Sequence, residues 1–322
     1  SPAALAQRVL SSPISDYYSL SLAVLFSYIE VAMELTKNCV KHKSSCADGF
    51  RWFLRNHQEG SDYQPLLDAL VSAGRVDDAC WLLTQFGPTD AVLKVDAIDA
   101  EAIVFAGTLE VQGNIEVASI VRAGRAIRAG GGIRAGHSII AGEDIRARGS
   151  IRSEGVLDAG GDIKVGWGIE IQENLRCGGD VRAEWELFCG GDLSVTGNVF
   201  VGQDLTTKGV FRCDKSIKVG GSITGLDCIW AGNGIESGAA IICEKHLEAN
   251  WGIKAQDAII AHGTIKAGES LQAVEEIQAG EGYGIYAGLI VQFDAWEASA
   301  QVRAKSKPER LMSGWWGGAC LA

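Results

Sequence analysis

The sequence predicts a mainly β protein, a parallel β-helix of triangular coils preceded by an α-helical domain, and three observations carry that reading. From residue 103 the chain divides into blocks of six without an insertion, as in SIVRAG RAIRAG GGIRAG HSIIAG EDIRAR. The third place of each block, from Ile103 and Leu109 to Tyr283 and Leu289, is apolar at all 32 positions. The sixth place is glycine in 14 of the 29 blocks from Gly124 to Gln292. A hydrophobic period of fixed length with recurring corners marks a solenoid.

Within a block, the residue two after the large apolar one shares its face, because alternate side chains of a strand point the same way. That place holds small residues such as Ala129, Val165, Cys177, Cys189 and Val219. Each strand therefore offers one large and one small side chain to the core, and the glycine that follows predicts a sharp corner with positive φ. Six residues cannot bury such a face alone, but three blocks closing an 18-residue triangle enclose it. The repeats predict about 10 to 11 coils, roughly 50 Å long at about 4.8 Å per coil. An open sheet or sandwich would need longer strands and turn signals every 8 to 12 residues.

The chain divides into a helical domain over 1–92, the hexad solenoid over 93–292, and a tail over 293–322. In the first, Leu22, Leu25, Phe26, Ile29 and Met33 recur at helical spacing, with Ser15 or Asp16 as a cap. Asp62 to Arg75 and Val76 to Phe86 predict a helical hairpin turning at Ser72, Ala73 and Gly74, with Asp77 and Asp78 opening the second helix. This domain is expected to cover the first coil. The tail carries Trp315, Trp316 and Leu321, which are costly to leave in water, and is expected to fold over the last coil. Covered ends leave no strand edge for stacking on another copy, which weighs against a filament.

The 322 residues carry 29 Lys and Arg against 40 Asp and Glu, a net charge of −11. This argues against a generic binder of nucleic acid or anionic membrane and favours a basic protein partner. The repeats hold most of that charge, with 27 acidic and 17 basic residues over 95–290. The most apolar window, Leu20 to Met33, is too short to span a bilayer and contains Glu30, so it predicts a buried helix. Nine cysteines without a CxxC pair fit neither a disulfide framework nor a zinc site, which points to a reducing, cytoplasmic setting, although a start at Ser1 is compatible with a removed leader.

Residues 18 apart should stack in columns. Arg128, Arg146, Lys164, Arg182, Phe200 and Lys218 form one, with Asp144, Asp162 and Asp180 two places earlier on three of the same strands. Mutual neutralisation on a solvated face is the expectation there. Trp167 and Trp185 form another, expected to stack at a corner near Glu173, Glu184 and Glu186. Aromatic residues among acids make a hot spot for a basic protein, set against a packing pair that protects a corner. A third column, Phe188, Thr206, Thr224, Ile242 and Ile260, is outward but uncharged.

Catalytic signals are thin. His42, His57, His137, His246 and His262 are not spaced as metal ligands on neighbouring strands, and no loop extrudes from the repeats to build a pocket around His137. The inward Cys177, Cys189, Cys213 and Cys243 read as compact apolar residues. AGGGIRAG lacks the Lys and Ser/Thr of a phosphate loop. No catalytic residue, metal or cofactor is expected, and the chain reads as a non-enzyme.

The blocks GGDIKV, GGDVRA and GGDLSV, at 160–165, 178–183 and 190–195, resemble the β-helix of bactofilins and related polymer-forming repeat proteins. The resemblance covers 103–292 and implies a structural, self-assembling role. Hexapeptide acyltransferases, the alternative enzymatic class, place their small residue four after the aliphatic one, whereas here it is two after. In general character, an acidic two-domain chain without a catalytic constellation is similar to immunity proteins that neutralise bacterial toxins, especially basic nucleases. That likeness implies an acidic inhibitor, and the corner residues Trp167, Trp185, Glu173, Glu184 and Glu186 are expected to carry its binding.

Overall fold

The computed structural model describes residues 61–320 and the short strand Glu34–Leu35. The expected helix around Leu22–Met33 with its cap at Ser15 or Asp16, the histidines His42 and His57, and Leu321 lie outside the described residues. Glu34–Leu35 pairs antiparallel with Ser61–Asp62, which leads into helix α1 (Tyr63–Ser72) and then α2 (Val76–Phe86). Gly74 turns the hairpin at φ 71°, Asp77 and Asp78 occupy the first turn of α2, and Arg75 pairs with Asp78 at 2.5 Å.

The rest is a parallel β-solenoid whose three faces are sheets of 11, 12 and 13 strands. Partners lie one coil apart, Ile145 with Ile163 and Ile163 with Val181, so each coil takes 18 residues. At about 4.8 Å per coil the rod is roughly 55 Å long. Every third-place residue from Leu109 to Ile277 is buried, and with the small residue two places on it forms one continuous core. Strands start before the hexads become regular, at Val92–Val95 and Ile98–Ala100, where Leu93, Val95 and Ala100 pack against that core.

The corner glycines require a correction, because among the described glycines positive φ occurs at Gly74, Gly87, Gly282, Gly288, Gly314 and Gly318, not at the regular corners. The cause is stacking. A Cβ on Gly130 would lie 2.0 Å from the carbonyl oxygen of Gln112, and one on Gly136 would lie 2.0 Å from that of Ala118, each one coil earlier. Glycine lets two corners approach, rather than letting one corner turn.

The hexad register also ends earlier than expected. Ile265 pairs with Ile285, two residues later than the period demands, because a turn closed by Tyr283 N–H on Gly280 O is inserted, with Gly282 at φ 80°. Ile285 takes the inward place, and Tyr283 and Leu289 stand exposed. The tail covers the last regular coil by continuing it. Gln301–Arg303, Leu311–Ser313 and Trp315–Trp316 add as strands to two of the sheets, and Trp316 packs on the core while Trp315 remains exposed.

The hairpin engages the first coil along one side. Tyr63, Leu66, Leu67, Leu70, Leu82 and Leu83 pack on Val104 and Ala106. Gln64 Nε2 donates to Val104 O at 3.0 Å, and Ala106 N–H donates to Gln64 Oε1 at 2.8 Å. One side-chain amide thus makes the two hydrogen bonds that a further strand would offer the edge of Ile103–Phe105. Arg122, on the next coil, donates to Thr84 Oγ1 of α2 at 2.7 Å.

Candidate functional site

Strands Ile163–Val165 and Val181–Ala183 each run into a corner, over residues 166–168 and 184–186, before the next face begins at Ile169 and Leu187. Trp167 and Trp185 occupy the same place in these two corners, where Trp185 N–H donates to Trp167 O at 3.3 Å. Their rings stack with centroids 5.7 Å apart and planes 9° from parallel, yet their residues are 58% and 54% exposed. The stack contributes about 0.5–1.5 kcal/mol beyond area burial, so it holds the rings in one orientation while most of their surface stays in water.

Gly166 and Gly168 flank Trp167, and a Cβ on Gly168 would stand 3.2 Å from Glu186 Cγ, so the Glu186 side chain lies against that glycine beside the stack. Glu184 adjoins Trp185 and accepts from Arg182 Nε at 2.9 Å. Glu173 is placed differently from the expectation. It sits at the following corner, across strand Ile169–Ile171, because a six-residue step carries the chain along one whole side of the triangle. The corner therefore unites Trp167, Trp185, Glu184 and Glu186 without Glu173.

The basic column is neutralised. Arg128 pairs with Glu110 at 2.8 Å, Arg146 with Asp144 at 2.8 Å and Lys164 with Asp162 at 2.9 Å. Arg182 departs from the expected Asp180 and takes Glu184. The aspartates also have a second use: their Oδ1 atoms accept backbone N–H groups one coil on. Asp144 accepts from Asp162 at 2.9 Å, Asp162 from Asp180 at 2.9 Å and Asp180 from Asn198 at 2.7 Å. The backbone hydrogen bond from Asp180, followed by Lys164, holds the Asp162 carboxyl below the usual carboxylate range. The signal was present as Asp or Asn before the large apolar residue in successive coils.

The inward thiols are not merely apolar. Cys177 Sγ lies 3.1 Å from Gly161 O and Cys213 Sγ lies 3.2 Å from Gly197 O, contacts that Ser153 and Ser237 make from the equivalent place to His137 O and Gly221 O. Burial pushes the Cys177, Cys213 and Cys243 thiols up to about 11 and raises that of Cys189. The uncharged column from Phe188 to Ile260 is half-buried, with Lys208 Nζ 5.4 Å from the Phe188 ring centroid.

His137 is exposed, His246 Nδ1 accepts from Thr264 N–H at 3.1 Å, and His262 Nδ1 lies 2.7 Å from Glu244. No group of three or more potential metal ligands is gathered among the described residues. No helix among them is long and apolar enough to cross a membrane.

Comparison with known proteins bears on one end of the chain. No curated protein and no solved structure matches it. Residues 33–86, a stretch that includes the helical hairpin and lies wholly before the solenoid, are similar to the family described as the YdhT N-terminal domain.

Proposed function

We propose that the protein is a non-catalytic binding solenoid that engages a basic protein through the Trp167–Trp185 corner, in the manner of an immunity protein neutralising a basic toxin such as a nuclease. The observation that supports this reading is the pair of stacked, exposed indoles with Glu184 and Glu186 beside them. A rigid corner loses little side-chain freedom on binding, and acidic neighbours on a chain of net charge −11 steer a basic partner. The solenoid presents the corner, and the helical hairpin leaves it open by packing on the first coil.

The test is purification of the protein with its stoichiometric partner from its native host at modest salt, identified by mass spectrometry. Charge reversal at Glu184 and Glu186 should then slow association and weaken its salt dependence. Unchanged binding by that variant would reject this corner.

A second reading, self-assembly of the bactofilin type, is favoured by the C-terminal end. Its outermost strands pair on one side only, and Phe293 and Met312 are 91% and 66% exposed there. Filaments seen by electron microscopy without an added partner would favour assembly over neutralisation.

A further inference from the structure

The three faces of the rod do not end together. The face that begins with Ile98–Ala100 has 11 strands and stops at Ile277–Ala279, whereas the other two run on to Leu311–Ser313 and Trp315–Trp316. After Gln301–Arg303 the chain crosses the short face once more, over residues 304–310, without forming a strand there. Pro308 lies in that crossing, and proline brings no N–H to a ladder. One strand place is left open.

The open place leaves backbone groups unpaired. On a regular coil the N–H of the large inward residue donates to the next coil, as Ile163 does to Asp180 O at 2.9 Å, and the carbonyl of the small one accepts from it, as Ala159 O does from Gly178 N–H at 2.9 Å. Ile277 N–H and Ala279 O have no such partner among the described residues, yet their residues are only 4% and 8% exposed. Buried backbone groups are paired almost without exception in folded proteins, so this edge is suited to an occupant that brings one acceptor and one donor.

Against the edge lies a cleft of about 490 Å³, between residues 276–279 and residues 306–310. The crossing is tied down on both sides of it, by Lys305 N–H donating to Glu275 O at 2.8 Å and by Arg310 Nη1 donating to Gly280 O at 2.6 Å. Ile277 and Ile285 supply its apolar wall, and carboxylates outnumber cations in the lining, with Glu276, Glu281 and Glu309 against Lys307 and Arg310. A second copy of this chain, with its net charge of −11, is the poorer occupant of such a cleft.

We propose that this cleft takes up a short extended segment of a basic protein, added as a further strand parallel to Ile277–Ala279. Strand addition supplies the carbonyl for Ile277 N–H and the N–H for Ala279 O. Alternation then sets the side chains, with an aliphatic residue and a small one inward, above Ile277 and Ala279, and a Lys or Arg between them facing outward. The solenoid itself uses that pattern, as Ile-Lys-Ala at Ile253–Ala255 and Ile265–Ala267. Ile277–Ala279 lies six places along its sheet from Ile169–Ile171, the strand that leaves the Trp167 corner, which is roughly 29 Å at about 4.8 Å per coil. The cleft is thus a separate surface, and the proposal stands whether or not that corner binds a protein.

The experiment is titration of the full chain with the acetylated and amidated peptide Gly-Thr-Ile-Lys-Ala-Gly, read by calorimetry and by hydrogen exchange. The expected result is saturable binding below about 1 mM, with exchange at the Ile277 amide slowed at least about tenfold and that at the already paired Ile163 amide unchanged. Sarcosine in place of the last glycine removes the N–H destined for Ala279 O and should weaken binding at least about tenfold. Glutamate in place of the lysine should weaken it as well, by an amount that shrinks as salt is added. No binding below about 1 mM, equal binding of the sarcosine or the glutamate peptide, or binding that leaves exchange at Ile277 unaltered would each overturn the proposal. So would an Ile277 amide as well protected in the free chain as that of Ile163, since the edge would then already be covered.

Discussion

Asp144 and Asp162, one coil apart, are joined by a hydrogen bond from the Asp162 backbone N–H to Asp144 Oδ1 at 2.9 Å, and Asp162 in turn accepts from Asp180 N–H at the same distance. Each aspartate closes the corner of the next coil while its other carboxylate oxygen stays available to a cation. Asp162→Ala should remove an acceptor from a half-buried N–H and cost about 1–2 kcal/mol in urea unfolding. Asp162→Asn, which keeps Oδ1, should cost less. Equal losses in the two variants would show that the charge matters and the corner hydrogen bond does not. Hydrogen exchange at the Asp180 amide should accelerate in Asp162→Ala.

The same carboxyl sets a pH response. Its folded pKa is depressed by the Asp180 N–H and by Lys164, and that of Asp227 by Lys245 and the Cys228 N–H. A group depressed on folding contributes stability above its unfolded pKa, about 3.9 for Asp, and loses it as pH falls through the folded value. The urea midpoint should therefore be flat in this respect from neutral pH to about pH 5, and should fall below about pH 4. Asp162→Asn should flatten that fall, and an unchanged acid profile in the variant would remove Asp162 from the explanation.

How far the fold was legible follows from the same geometry. The core repeats because each large residue meets its copy one coil on, so Ile145, Ile163 and Val181 announce the coil length by themselves. What a corner demands is not local. Gly130 is required by the carbonyl of Gln112, a contact that does not exist until two coils have stacked, and a rule about single turns gave the wrong cause. The slip at Glu281–Gly282 was hidden because Tyr283 and Ile285 both suit the apolar place. The Trp167–Trp185 stack was legible as two residues in one column, whereas Glu173 was not, since nearness in sequence carries it round a corner.

The inward cysteines should be chemically silent in the folded protein. A thiol pushed up to about 11 by burial holds little thiolate at pH 8, and access is closed as well. Titration with a disulfide reagent at pH 8 should leave Cys177, Cys189, Cys213 and Cys243 unmodified until denaturant is added, as peptide mapping would show. Cys177→Ser should fold within about 1 kcal/mol of the parent, because Ser153 and Ser237 make the same corner contacts. Cys177→Val should also stay within about 1 kcal/mol of the parent, because Gly161 O still accepts from Gly179 N–H at 3.0 Å and Val165 and Val219 fill the equivalent place.

Gln64 tests how the first coil is closed. Its amide both donates to Val104 O and accepts from Ala106 N–H, so the edge of Ile103–Phe105 meets a helix without losing its hydrogen bonds. Gln64→Leu keeps the apolar contact but leaves a donor and an acceptor unpaired in a half-buried setting, at a cost of about 1–3 kcal/mol. Gln64→Glu offers two acceptors and no donor, so it should satisfy the Ala106 N–H while setting a carboxylate oxygen against the Val104 carbonyl. The two variants predict different exchange behaviour, with the Ala106 amide exposed in Gln64→Leu and protected in Gln64→Glu. In a linear solenoid each coil is supported by its neighbours, so the damage should fade with distance from the first coil. Amides near Ile163 should exchange as in the parent, and loss of protection that far along the rod would mean that the helical hairpin stabilises the whole solenoid rather than its first coils.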